Sequence, residues 1–372
     1  MYEEKDNFNR HTERQSNLEL YRIVFMYLIV LHHYVVNSGL IDSMRLHGDY
    51  MKNLFYAIVG GWGKLGINCF VLITGYFMCK SNISVTKFIK LLAEVLFYNV
   101  TIFLIFILSG YQSFGIVSFI KCVFPFYNIS DGFTSCYLLF YLLIPYLNLL
   151  IKQLNKKQYI HFLSIILSIY VLVPSIPKMS ITFNYVTWFC VVYFIGAFIR
   201  IYEQEILFLK SRIGSKCFVC FLLAICSIVV GTYCSSKLNT RYWYFVTDSN
   251  KLLALLPAVF AFLWFKNLNI RYSKFINSVA ASTFGVLMIH ANSDMMRQWL
   301  WKDILHNVQM YESNYFVLHI FFSTIIVFSF CIVIDRIRIC MLEKPFMKWI
   351  QGLLDSSFKH RKKSSRNFTD EE

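Results

Sequence analysis

Apolar residues gather into runs of membrane-spanning length from near residue 18 to near residue 334 of the 372-residue chain. A helix needs roughly 20 mostly apolar residues to cross a bilayer. Segments centred on residues 18–38, 58–79, 88–109, 133–151, 158–174, 184–202, 216–234, 251–267, 275–291 and 315–334 meet or nearly meet that length. The pattern predicts an all-α fold, a polytopic membrane helical bundle of about ten transmembrane helices. The first run carries Arg22 and a His pair and lacks a small-residue cleavage site, so it reads as a retained span rather than a signal peptide. In the second run, glycines at 60, 61, 63 and 66 mark a place where backbones approach closely or the helix breaks.

Composition agrees: 57% of residues are hydrophobic and 15% charged, where soluble domains carry roughly 25% charged residues. A water-soluble enzyme, a disordered chain, collagen and coiled coil are excluded. The net charge of +15 would prompt a nucleic-acid reading in a soluble protein, but here it has a topological source. With the N-terminus inside, the cytoplasmic segments hold 25 Lys and Arg and the opposite side 9, leaving Arg22 and Lys64 within spans. Both termini are expected in the cytoplasm. The organisation is then an N-terminal tail over 1–16, a transmembrane domain over 17–350 and a basic tail over 351–372. In that tail KHRKKSSR meets anionic lipid head groups or serves only as a solvated topogenic segment.

Between the last two spans, NSDMMRQWLWKDILHNV sets Met296, Trp299, Leu300 and Ile304 at helical spacing, as in a helix lying in the outer interface. Whether it lids a site or caps the bundle is open at this level. Most of the 11 cysteines lie in apolar runs and read as small core residues. Cys217 and Cys220 have CxxC spacing without a second pair or a nearby His, and no metal is expected. Abundant Phe, Ile, Lys, Asn and Tyr fit an AT-rich bacterial genome, hence a bacterial inner membrane.

Ionisable groups inside a bilayer cost roughly 2.5–3.5 kcal/mol each on insertion scales, so each is a functional candidate. In NLELYRIVFMYLIVLHHYVV, Arg22 and His33 are 11 residues apart. At ~100° and ~1.5 Å per residue they share a helix face and stand ~16 Å apart, a cation near the cytoplasmic boundary and an imidazole about halfway across. His32 points about 100° away, and Glu19 is placed to pair with Arg22 along the helix. The plainer alternative is an Arg22 that snorkels to the interface and a His33 that bonds a neighbouring helix. Glu94 in the third span has no assignable partner; His161 and His319 read as structural, and His290 as an interface anchor or a further candidate.

The first-span segment NLELYRIVFMYLIVLHHY resembles the opening signature of the integral-membrane acyltransferase family 3. GINCFVLITGYF (66–77), YLLFYLLIPYLN (137–148), WFCVVYFIGAFIR (188–200) and ASTFGVLMIHAN (281–292) resemble later family segments in the same order. The resemblance implies a ten-span bundle that takes an acyl group, usually acetyl from acetyl-CoA on the cytoplasmic side, to a hydroxyl of a cell-surface or lipid-linked glycan. It implies that Arg22 and His33 are the essential pair. Lys87 and Lys90 stand where many members have arginines, and Thr74 where the family often has Ser. A lysine still meets phosphate as a point charge, so Lys87, Lys90 and Arg22 are the expected acyl-CoA contacts. No nucleic-acid partner is expected. His33 serves either as general base or as a covalent acyl carrier, and the sequence leaves both open. The rival classes are a carrier or flippase for polysaccharide precursors, which often shows internal repeats and paired broken helices not evident in the sequence, and a non-catalytic scaffold.

Overall fold

The computed structural model describes residues 14–353 except 82, 128, 130–131 and 239–241; most of both predicted tails, including the 359–366 basic run, lies outside these residues. Apolar runs became helices wherever the sequence predicts a span, and no strand occurs among the described residues. The principal helices are α1 (Ser16–Val36), α2 (Tyr50–Gly60), α3 (Gly63–Met78), α4 (Val85–Leu108), α5 (Phe133–Gln153) and α6 (Lys156–Leu167). They continue with α7 (Tyr185–Tyr202), α8 (Ile213–Leu238), α9 (Leu252–Lys266), α10 (Lys274–Ala280), α11 (Thr283–His290) and α12 (Phe316–Arg338). Polar caps set several starts: Ser84, Asn155 and Asn184 each accept from the backbone N–H three residues on.

By length and composition, 8 helical segments among the described residues are long and apolar enough to cross a membrane. The other two predicted spans take a different form. Leu252–Lys266 has 15 residues, ~22 Å of helix. It is enclosed by protein, with Ala254, Ala258, Ala261 and Phe262 buried, and so need not match the ~30 Å hydrocarbon thickness. The 275–291 run is interrupted at 281–282 between α10 and α11. A second interruption separates α2 from α3 at 61–62, within the glycine cluster. The chain therefore does hold interrupted helices, which hydropathy alone did not reveal.

Helix α1 is the centre, packed against α2, α3, α9, α10, α11 and α12. Apolar side chains such as Leu104 and Leu108 on α4, Phe218 and Leu222 on α8, and Phe322, Ile326 and Phe330 on α12 face outward as a lipid belt. The closest crossing joins α3 to α7. A Cβ on Gly75 would lie 2.5 Å from the Tyr193 carbonyl oxygen, and one on Gly196 would lie 2.6 Å from that of Leu72. Only glycines permit that approach.

Connections expected to share a side of the membrane meet one another. At the Arg22 end, Lys156 pairs with Glu205 at 2.9 Å, Lys266 with Glu203 at 2.7 Å and Lys90 with Glu343 at 2.7 Å. At the other end, Lys52 donates to the Tyr311 carbonyl at 3.2 Å, and Tyr111 donates to Asp303.

Glu94 gains partners that the sequence did not assign. Arg338 contacts it at 2.9 Å, Asp335 at 2.8 Å and Glu343 at 2.9 Å, and the Tyr98 hydroxyl donates to Asp335 at 2.7 Å. This cluster fastens α4 to the end of α12. Arg338→Ala would strand buried carboxylates, and a loss of about 3–5 kcal/mol is expected. Intrinsic-fluorescence melting of the purified full chain measures it; an unchanged Tm would remove the cluster's structural role.

Candidate active site

Arg22, Met26, Ile29 and His33 follow one face of α1, at steps of four, three and four residues. Met26, Ile29 and His33 line a cavity of about 560 Å³ that continues past His32 and Lys64 to Asn99, Lys121, Tyr127, Tyr185, Asn292 and Arg297. The stripe predicted from spacing is thus a cavity wall. Arg22, one turn below it, lies 3.7 Å from Glu19, as predicted. On α5, the Tyr137 hydroxyl lies 2.9 Å from Thr74 Oγ1 of α3.

The partner of His33 comes from the other end of the chain. His33 Nδ1 lies 2.9 Å from His290 Nε2, and His290 Nδ1 lies 2.6 Å from the Val286 carbonyl oxygen. A carbonyl only accepts, so His290 Nδ1 carries a proton and donates to it. In the neutral pair His290 Nε2 is then an acceptor, and His33 Nδ1 donates to it. The lone pair of His33 sits on Nε2, which has no protein partner among the described residues. A backbone carbonyl thereby fixes the tautomers of both rings, two links from His33 Nε2.

His290 is fully buried, and Trp301 packs edge-on against it with ring centroids 6.2 Å apart. That contact decides the role of the segment after residue 291. Trp301, absent from the predicted apolar stripe, is fully buried against Tyr34 and His290, whereas Ile304 is exposed. A π-helical turn over Gln298–Ile304 rotates the register expected from α-helical spacing. The segment is a cap wedged into the bundle, with Asp294 and Arg297 at the cavity mouth.

His32 does not point away from the site. Its Nδ1 lies 2.5 Å from the Gly60 carbonyl oxygen, and its ring sits 5.5 Å from that of His33. The ring occupies the space a Cβ on Gly63 would take, 2.1 Å away, so the break between α2 and α3 makes room for it. His319 bonds the Tyr34 hydroxyl at 2.7 Å, a structural contact. Lys87 is exposed near the start of α4, and Lys90 is engaged by Glu343. Neither lines this cavity. A second, open cleft of about 480 Å³ at the Arg22 end is lined by residues including Arg14, Asn17, Tyr76 and Lys266.

The described residues thus form an all-helical bundle of membrane-spanning helices in which His33, bonded to the buried His290, opens on a cavity. The chain matches the acyltransferase domain of acyltransferase family 3 over residues 15–336, and it belongs to that family. No curated protein and no solved structure matches it.

Proposed function

We propose that this multi-pass membrane acyltransferase takes an acyl group, acetyl from acetyl-CoA, at the Arg22 end and delivers it to a hydroxyl of a cell-surface or lipid-linked glycan at the His33 end. The observation that carries the reading is the ordered chain Val286 carbonyl, His290, His33, which leaves an accepting Nε2 beside a cavity large enough for a sugar. His33 Nε2 takes the proton from the sugar hydroxyl as its oxygen attacks the thioester carbonyl. The C–S bond then breaks, and the departing CoA thiolate receives the proton. Arg22 holds the donor one turn below the cavity, with the pantetheine arm running along Met26 and Ile29. Transfer of radiolabel from acetyl-CoA to glycan in isolated membranes tests the proposal; absence of transfer overturns it.

The Arg22 end faces the cytoplasm of a bacterial cell in this reading, supported by the 25 to 9 division of Lys and Arg. Reporter fusions are expected to place the C-terminal tail inside, and a periplasmic tail would reverse the assignment of donor and acceptor ends. Lys87 and Lys90, cations of the same end, draw in the CoA phosphates. Changing both to Gln is expected to raise KM for acyl-CoA severalfold with acceptor dependence unaltered. Unchanged acyl-CoA dependence makes them topogenic only.

The two interrupted helices favour a second reading, a carrier for glycan precursors, since broken helices flank substrate sites in many transporters. Family membership ranks acyl transfer first, and radiolabel transfer separates the two.

A further inference from the structure

Among the described residues, the cavity that holds His33 is lined by more positive than negative charge. Lys64, Lys121 and Arg297 line it against one carboxylate among its lining residues, Asp294, which pairs with Arg297 at 2.9 Å. Lys64, in the first turn of α3, donates to the Tyr185 hydroxyl at 2.8 Å and lies 5.4 Å from the centre of that ring. Lys121 Nζ lies 4.8 Å over the Tyr127 ring. Among the described residues neither lysine has a carboxylate within 4.0 Å. Arg297 Nε is buried and has no hydrogen-bond partner among them.

Two cations elsewhere in the bundle are answered by carboxylates: Lys266 meets Glu203 at 2.7 Å, and Arg338 meets Glu94 at 2.9 Å. Lys121 is exposed, Lys64 is half-buried and Arg297 Nε is buried, and cations gathered on one cavity wall with little opposing charge are the complement of an anion that enters it. The remaining wall suits a sugar. Tyr127 is exposed, and Asn99 and Asn292, joined to each other at 3.1 Å, offer donors and acceptors to ring hydroxyls.

We infer that the acceptor carries an anionic group, a phosphate or carboxylate borne by the sugar, which Lys64, Lys121 and Arg297 hold while an adjacent hydroxyl faces His33. This rests on the acyltransferase reading for the identity of the ligand as acceptor, and it adds the acceptor's charge class. A donor that lodged its own phosphates here would give the same cations a different task, which the experiment separates.

The full chain in lipid nanodiscs is titrated with glucose 1-phosphate, glucuronic acid, methyl glucoside and coenzyme A. Both anionic sugars, or one of them, are expected to bind at least about tenfold more tightly than methyl glucoside, the preference shrinking as salt rises. Which one is favoured distinguishes phosphate from carboxylate. Lys64→Gln with Lys121→Gln should abolish the preference, while Lys64→Arg with Lys121→Arg keeps it, which guards against a folding defect in the glutamine variant. Equal or absent binding of the three sugars, or a preference that survives the glutamine changes, overturns the inference. So does a tenfold loss of coenzyme A affinity with sugar binding intact. Wild-type membranes that show the anion preference but transfer no label from acetyl-CoA uphold the charge assignment and defeat only the reaction.

Discussion

Replacing His33 with alanine is expected to lower acyl transfer at least about a hundredfold while the protein remains inserted and abundant. General acid–base catalysis contributes roughly 10²- to 10⁴-fold, and His33 Nε2 is the accepting nitrogen that the structure leaves open toward the cavity. The loss should fall in kcat, because the imidazole acts on the proton in flight more than on the bound sugar. His32→Ala is the internal comparison. It removes a ring that shares the cavity and bonds the Gly60 carbonyl, yet leaves the His33–His290 link in place, so more activity should survive. Membranes carrying His33→Ala that still acylate glycan near the wild-type rate would place the chemistry elsewhere and move the carrier reading ahead.

The second large effect is expected at His290, which acts through His33 and is a positioning residue. His290→Leu removes the acceptor for His33 Nδ1–H, freeing the ring to rotate or to adopt the other tautomer. Misplacing a reacting group by ~1 Å costs on the order of 10²-fold, and a loss of about 10- to 100-fold in kcat with little change in acceptor KM follows. His290→Gln restores an acceptor oxygen on a neutral side chain, so partial recovery distinguishes positioning from loss of core packing. Equal activities for the leucine and glutamine variants would show that His290 only fills space.

The sequence carried much of the local geometry around His33, but not the place of His32 in the cavity wall. Helical periodicity put Arg22 and His33 on one face, and that face is the cavity wall; it placed Glu19 beside Arg22, where the structure has it. Periodicity has no knowledge of which helices become neighbours. His290 reaches His33, and Lys64 and Arg297 reach its cavity, from distant parts of the chain, so the sequence alone reads them as an interface anchor or further candidate, a cation within a span and part of an outer interface helix. Glu94 looked unpartnered for the same reason, its counter-ion lying on α12. Hydropathy found the helices in order but fixed their bounds less well. It missed the polar first half of the second helical segment, which starts at Tyr50 and contains Lys52 and Asn53. The inward turn of Trp301 was hidden because a π-turn breaks the period on which the expected stripe relied.

The bond between His33 and His290 joins residues 257 positions apart, on α1 and α11. During synthesis the first helix enters the membrane with its imidazole free to find other partners, and it waits for nearly the whole chain before α11 arrives. In the proposed mechanism, activity then reports completion of the bundle. Chains ending before Thr283 are expected to insert and accumulate yet transfer no acyl group, and supplying α11 onward as a separate fragment offers a way to time the assembly of the site.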